Sequence, residues 1–582
     1  MKTPLSSPLI LAPDLGPLAR VVWKIEMSTS SSLELLPREP DDPPPEPDDG
    51  PEETDAFSRY RVKKEYTLRE KKARSISEWP RDARVSKKPR KNGQRMTSGG
   101  VIRYDREGSV TGFSHPSSEV SVSKRKVLVI GAGSAGRYAA RQAARLGAEV
   151  TLASPPPFGG LCILSGCMPS KALLRSAHVY HFIRTGLSDL ALSLDTSTLR
   201  ADISAMVSMK DDMIREMAES AHLSVTNNPD IRFLPVEARF LSENSARVGE
   251  ETLLFDRAVI ATGSLPRIPP IPGVSQDWLW TSDDVLQCRS LPRSVVVMGA
   301  GPIGLELGQY LAMLGVKVEV VEILHPWNRS LDPRLAAGYL EAIRKSGLPI
   351  HLGMTVQKFE TIQGRALLHA TTHEGTSRQF DADRVLFATG RQAAIRGLDL
   401  DAAKVRLTPS GAVSVDPYLR TSNPRIFAAG DVTGQLPVLN LATYHGEMAG
   451  TNAVLDKPLL VEERAVPVSI FTEPEFARVG LTEAEAKERA IPVLTGYLPF
   501  TELGRAIVNR QTDGALKITA SATTREILGA EMFGAGAADL IHLMGVALSL
   551  RATIDSYQRI LHIHPTMAEI VRYVIDEMTG AL

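Results

Sequence analysis

From Lys126 onward, short runs of Val, Ile and Leu alternate with glycine turns and Ala-rich stretches, the pattern of buried parallel strands joined by helices. Two segments repeat one design. KVLVIGAGSAGRYAARQAARLGAEVTLAS (126–154) and SVVVMGAGPIGLELGQYLAMLGVKVEVVE (294–322) each predict a buried strand, a GAGxxG turn, a helix, a glycine exit and a second strand. Each copy therefore predicts a parallel βαβ unit with a right-handed crossover. Past about residue 460 the glycine turns thin out, and mixed strands and helices close the chain. Ahead of this region no apolar period is sustained. A Pro/Asp/Glu tract (REPDDPPPEPDDGPEE) gives way to a Lys- and Arg-dense stretch, Arg59 to Arg95, which predicts a disordered N-terminal extension over 1–122. That extension reads either as a solvated tail, with Met27 and Met96 as alternative starts, or as a basic arm for an acidic partner. It lacks the interleaved aromatics of single-strand binders, so nucleic acid is not an expected partner.

Composition narrows the picture. A chain of 582 residues exceeds what one core usually supports, so several domains are expected. Lys plus Arg equals Asp plus Glu, 67 each, leaving no global field to draw in a polyanion or an anionic membrane. Three cysteines cannot form an extracellular disulfide framework, and two of them sit close together, which points to catalysis in a reducing compartment. With no apolar run long enough to span a bilayer, and a PLILAP segment too short for a signal core, a cytoplasmic protein without a membrane partner is expected.

The turns carry the candidate chemistry. Gly131, Gly133 and Gly136 would let the backbone approach a pyrophosphate at a helix N terminus, and Gly299, Gly301 and Gly304 would do the same for a second dinucleotide. Glu322 ends the second strand of the second unit, where a carboxylate accepts from ribose hydroxyls and repels a 2′-phosphate, so NAD is expected there. The matching position in the first unit is Ser154, a neutral residue followed by three prolines. Directly afterwards, GGLCILSGCMPSK (159–171) sets Cys162 and Cys167 at the start of a helix, whose dipole favours a thiolate. A zinc knuckle would need two further ligands, and no other Cys or His lies nearby before His178, so no metal site is expected. Cys288 stands alone and reads as a small core residue.

With these motifs, and with ATGSLPRIP (261–269), FATGR (387–391), IFAAGDVTG (426–434) and HIHPTMAE (562–569), the chain from about residue 124 resembles the class I flavoprotein disulfide reductases, the family of dihydrolipoamide dehydrogenase, glutathione reductase and mercuric reductase. The resemblance implies an α/β fold with two Rossmann-like domains binding FAD and NAD and a C-terminal α+β dimerisation domain. Residues 123–276 and 389–458 would form the FAD-binding domain, 277–388 the NAD-binding domain and 459–582 the dimerisation domain. It implies that FAD lies on the first unit, with Asp431 holding its ribityl chain and Gly160, Thr262, Gly263, Gly430 and Gly390 among the cofactor-contacting residues. Cys167 would be the flavin-side thiol and Cys162 the thiol that meets substrate. Lys171 would pair with Glu306 near the flavin, and His564, oriented by Glu569, would act as base on the partner chain of a homodimer; His562 reads as structural. Dihydrolipoamide dehydrogenase-type oxidation of a small-molecule or lipoyl dithiol is the expected reaction, with a mercuric-reductase-like enzyme as the alternative and a non-catalytic flavoprotein tethered in a larger complex as the third reading. Departures from the family pattern are Ser154, the Gln-Ala-Ala after Arg391, and PVLNLATYHGE before and around His445.

Overall fold

The computed structural model describes residues 101–104, 110–114 and 124–581. Most of the extension expected to be disordered therefore lies outside the described residues. Within it, Val101–Tyr104 and Val110–Ser114 pair as an antiparallel hairpin, which the sequence pattern did not signal.

Lys126–Ile130 and Glu149–Ala153 pair in parallel at the centre of a five-stranded sheet. Arg257–Ile260 and then Ile426–Ala428 extend it on one side and Ile231–Leu234 on the other, all parallel. Ile426–Ala428 thus returns from far along the chain to the sheet that the first unit begins. The helix Ser134–Arg145 between the central strands buries Ala135, Ala139, Ala140 and Ala143. These small side chains let the helix Leu439–Val454 lie against its backbone. A Cβ on Gly446 would sit 2.3 Å from the Ala135 carbonyl oxygen, and one on Gly450 2.4 Å from that of Ala139.

The second unit builds a separate parallel sheet in the order Leu279–Trp280, Arg384–Phe387, Ser294–Met298, Lys317–Val321, Ile350–His351. All five residues of Ser294–Met298 are buried, as expected for a strand covered on both faces. The C-terminal region is an antiparallel sheet ordered Val468–Ile470, Glu475–Gly480, Ile527–Gly534, Ala515–Ser521, Val493–Pro499. Helices Ala537–Ser549 and Glu569–Thr579 pack on it through Ile541, Met544, Ile570 and Val574. A buried ion network ties it to the second unit: Lys517 reaches Asp332 at 2.7 Å and Glu483 at 2.5 Å. Asp332 also accepts from the backbone N–H groups of Arg334 and Leu335, capping the helix Pro333–Lys345. Among the described residues no helix is long and apolar enough to cross a membrane.

Candidate active site

The first GAGxxG turn is shaped by its own backbone. Gly131 takes φ +104°, and a Cβ on Gly136 would lie 1.7 Å from the Gly131 carbonyl oxygen, so both positions exclude any other residue. The loop carrying the cysteines packs on this turn, since a Cβ on Gly160 would fall 2.4 Å from the Gly133 Cα. Beside it, the buried Thr262 hydroxyl has no hydrogen-bond partner among the described residues. Asp431 lies in the turn Gly430–Thr433 at the start of the returning segment and accepts from the Ser264 hydroxyl at 2.6 Å. Arg391 holds Ser264 in turn, donating to its hydroxyl and its carbonyl oxygen at 2.8 Å each. This cradle, with a helix N terminus, an unpartnered hydroxyl and a fixed carboxylate, suits a flavin dinucleotide. Ser154 offers it no charge, and its hydroxyl lies 3.3 Å from the carbonyl oxygen of the adjacent Pro155.

Cys167 begins the helix Cys167–Thr185, with Gly166 as its N-cap, and Cys162 lies in the short preceding helix Gly160–Leu164. Both are free thiols, half-buried and hydrogen-bonded to each other. The bond from Cys162 is the largest influence on Cys167 and brings it down to about 7; burial opposes this and the nearby Lys171 ammonium assists it. Cys162 is pushed above the ordinary thiol range, first by that same bond and then by burial. Of the two thiols, Cys167 is therefore the one that ionises more readily.

One helical turn beyond Cys167, Lys171 forms an ion pair with the buried Glu306 at 2.6 Å. Glu306 stands in the helix Pro302–Met313 of the second unit, and its other oxygen accepts from the Phe471 backbone N–H at 2.9 Å. The Lys171 ammonium also lies 4.6 Å from the centre of the Phe471 ring. The Phe471 segment is clamped from below. Gln309, fully buried one turn after Glu306, donates to the Glu473 carbonyl oxygen at 2.8 Å and accepts its N–H at 2.7 Å. Phe471 and Gln309 were not candidates on sequence, because they act through backbone groups that no motif records.

In the second turn, Gly301 has no atom within 4 Å of an added Cβ, leaving room for a ligand to approach the backbone. Glu322 is buried beneath it and accepts from the Ala300 N–H at 2.7 Å and the Leu324 N–H at 2.8 Å. The expected ribose acceptor is thus also a brace for the turn. Gly263 and Gly390 both have positive φ, and they flank the short antiparallel pairing of Ser264–Pro266 with Arg391–Ala393, which accounts for the extended Gln-Ala-Ala after Arg391.

Near the C terminus, His564 Nδ1 lies 2.9 Å from Glu569, whose second oxygen accepts from the Thr566 N–H. Burial works to raise the Glu569 carboxyl, but these hydrogen bonds outweigh it and hold it below the usual carboxylate range. The imidazole is 75% exposed. His562 packs against Tyr557, and Cys288 is half-buried at a helix end, its thiol donating to the Ser290 carbonyl oxygen. Cys288 is therefore outside the core where the sequence reading put it.

Residues 125–449 match the model of the pyridine nucleotide-disulphide oxidoreductase family, and 466–575 match that of the family's dimerisation domain. The chain is 32% identical over 448 residues to a mercuric reductase of Bacillus cereus, spanning 77% of this chain and 70% of that one. It is 31% identical over 465 residues to a dihydrolipoyl dehydrogenase of Haloferax volcanii, spanning 78% and 96%. Among solved structures, the HOCl-induced flavoprotein disulfide reductase RclA of Escherichia coli superposes with a TM-score of 0.68 at 25% identity, over 78% of this chain and 99% of that one.

Proposed function

The chain belongs to the class I pyridine nucleotide-disulphide oxidoreductases, which use FAD and a nicotinamide dinucleotide, and on that premise we propose that it oxidises a dithiol with NAD+ in the manner of a dihydrolipoamide dehydrogenase. The net reaction is R(SH)2 + NAD+ → RS2 + NADH + H+. Bound FAD supplies the two-electron relay between the cysteine pair and the nicotinamide.

The observation that carries this reading is the pair of cysteines at the start of a helix, beside the Lys171–Glu306 ion pair. A substrate thiolate attacks Cys162 Sγ, the Cys162–Cys167 bond breaks, and Cys167 leaves as the thiolate that its neighbours favour. The second substrate thiol then displaces the Cys162 sulfur, which leaves as a thiol because its pKa is raised. Both substrate protons need a base. His564, fixed by Glu569, fills that role from a second copy of the chain. Leu561 at 95% and Ile563 at 79% exposure flank it, apolar surface that a second copy would cover. Lys171, held by Glu306 and Phe471, places a positive charge beside Cys167. The Glu322 carboxylate favours NAD(H) over NADP(H). The small number of cysteines supports a cytoplasmic site of action.

Mercuric reduction is the alternative, favoured by the similarity to relatives of that name. Residues 289–582 hold no cysteine, so this stretch offers no second thiol pair to receive the metal. The test is steady-state turnover of the purified holoenzyme with NAD+ and dihydrolipoamide, beside NADH with oxidised glutathione and NADPH with Hg(II). Dihydrolipoamide oxidation is expected to dominate. Turnover confined to glutathione or Hg(II) would overturn the reading.

A further inference from the structure

The segment from Glu322 to Asp332 runs from the second nucleotide turn to the helix Pro333–Lys345, and it is held at both ends. At its near end, Glu322 accepts the Ala300 N–H, and the Trp327 indole donates to the Ala300 carbonyl oxygen at 2.9 Å. Both backbone groups of Ala300, inside the GAGxxG turn, are therefore fixed by this one segment. The buried Trp327 ring packs on Tyr339 and on Phe476, at 5.4 and 6.2 Å between ring centres. Phe476 belongs to the C-terminal sheet.

The far end is fastened to that same sheet. Glu531 accepts the Asp332 N–H at 3.0 Å, Lys517 pairs with the Asp332 carboxylate, and Arg478 lies 3.3 Å from the Ser330 hydroxyl. Glu531 stands directly across from Lys517 on one neighbouring strand and from Arg478 on the other. Neither cation satisfies it. Lys517 is engaged by Asp332 and Glu483, and Arg478 by Glu485. The second Glu531 carboxyl oxygen is buried and has no hydrogen-bond partner among the described residues. Arg334 reaches Asp332 and Lys487 reaches Glu483 from the exposed rim, and Tyr339 on the overlying helix bonds its hydroxyl to Thr472. The neighbours Ala530 and Met532 join the cluster on the sheet's other face, so the helix Ala537–Ser549 lies across the sheet from Glu531.

Burial pushes the Glu531 carboxyl up to about 7; the nearby Asp332 carboxylate adds to this, while the Asp332 N–H and the Lys517 and Arg478 charges oppose it. Protonated, Glu531 keeps its bond from the Asp332 N–H and adds no charge. Ionised, it sets a second carboxylate beside that of Asp332 and competes for Lys517. We propose that Glu531 is a proton-operated brace for the nicotinamide dinucleotide site: its protonated form keeps the Ser330–Asp332 anchor firm, so that Trp327 holds the Ala300 turn in its binding shape, and its ionisation loosens both. Glu531 and Trp327 are positioning residues in this scheme. It rests on the reading of the second GAGxxG turn and Glu322 as the nicotinamide dinucleotide site.

ADP-ribose carries the adenosine ribose and the pyrophosphate without a nicotinamide, so its binding to the oxidised, FAD-loaded enzyme reports the turn with no redox step. Calorimetry at about pH 6 and about pH 8 spans the Glu531 midpoint. Over that interval the wild-type Kd is expected to rise about fivefold more than that of Glu531→Gln, the lower range of coupling between linked sites. His325 and His373, stacked at 4.6 Å beside the segment, are present in both proteins, so their contribution cancels in the comparison. Trp327→Phe loses the indole donor and should weaken binding at about pH 6 and flatten the pH dependence, with FAD content unchanged. A group raised in the fold stabilises below its ordinary pKa and loses that contribution as the pH rises through the folded value. The melting temperature of Glu531→Gln should therefore draw ahead of wild type as the pH rises toward 7. Equal pH dependence of Kd in wild type and Glu531→Gln, a dependence undiminished in Trp327→Phe, or a constant gap in melting temperature would each overturn the brace. If Glu531→Gln does not fold, the Trp327→Phe comparison decides. A wild type that binds no ADP-ribose would overturn the nucleotide reading itself, and the brace with it.

Discussion

Cys167 holds the charge of the reduced pair because three influences coincide on one sulfur: the hydrogen bond from Cys162, the Lys171 ammonium, and its own place at a helix start. A lowered thiol is protonated below its pKa and ionised above it, so the ultraviolet absorbance of thiolate in the reduced protein should appear with a midpoint near about 7. Dithiol oxidation should accelerate as the pH rises through the same range, since Cys167 must leave as an anion. Lys171→Met removes one lowering influence and should move the midpoint upward by on the order of half to one pH unit. A midpoint unchanged by that substitution would place the control elsewhere. Lys171 and Glu306 were legible as a pair because each sits inside a recognisable motif. Gln309 and Phe471 were not, since a glutamine in an apolar helix and a phenylalanine that works through its N–H leave no mark in composition or spacing.

The crossing of Ser134–Arg145 and Leu439–Val454 depends on the absence of side chains. Gly446 and Gly450, one helical turn apart, lie against the Ala135 and Ala139 carbonyl oxygens with no space for a methyl group, and both contacts are to backbone, which cannot rotate away. Gly450→Ala should push the helices apart and tilt the turn at Gly131–Gly136. We expect a stability loss of about 1–3 kcal/mol, typical of overpacking. Faster release of FAD on dilution should accompany it, read by thermal melting and by flavin fluorescence. An alanine variant with unaltered melting and flavin retention would show that the contact relaxes at little cost. The two βαβ units were readable in advance because strand, turn, helix and strand follow one another without interruption. The sheet partner Ile426–Ala428 was not readable from periodicity, because a three-residue strand that pairs across the whole of the second unit has no local signature; it entered through the resemblance of IFAAGDVTG.

At the scale of the whole molecule, the chain carries the family's dimerisation domain and an exposed His564–Glu569 pair, and on the reading proposed above function should require two copies. Cys162→Ser should abolish dithiol turnover, and His564→Gln should lower it by at least about a hundredfold while FAD is retained. Mixing these two inactive homodimers under subunit exchange produces heterodimers with one site carrying both lesions and one site carrying neither. Activity should return, approaching one working site per heterodimer. Heterodimers that form and stay inactive would show that the histidine serves its own chain. The raised pKa of Cys162 has a consequence for the solitary chain. Burial and the bond to Cys167 leave the outer thiol the less easily ionised of the two, so in a solitary chain a thiol-alkylating agent is expected to label Cys162 slowly, and docking of a second copy that brings His564 to it is expected to speed that labelling.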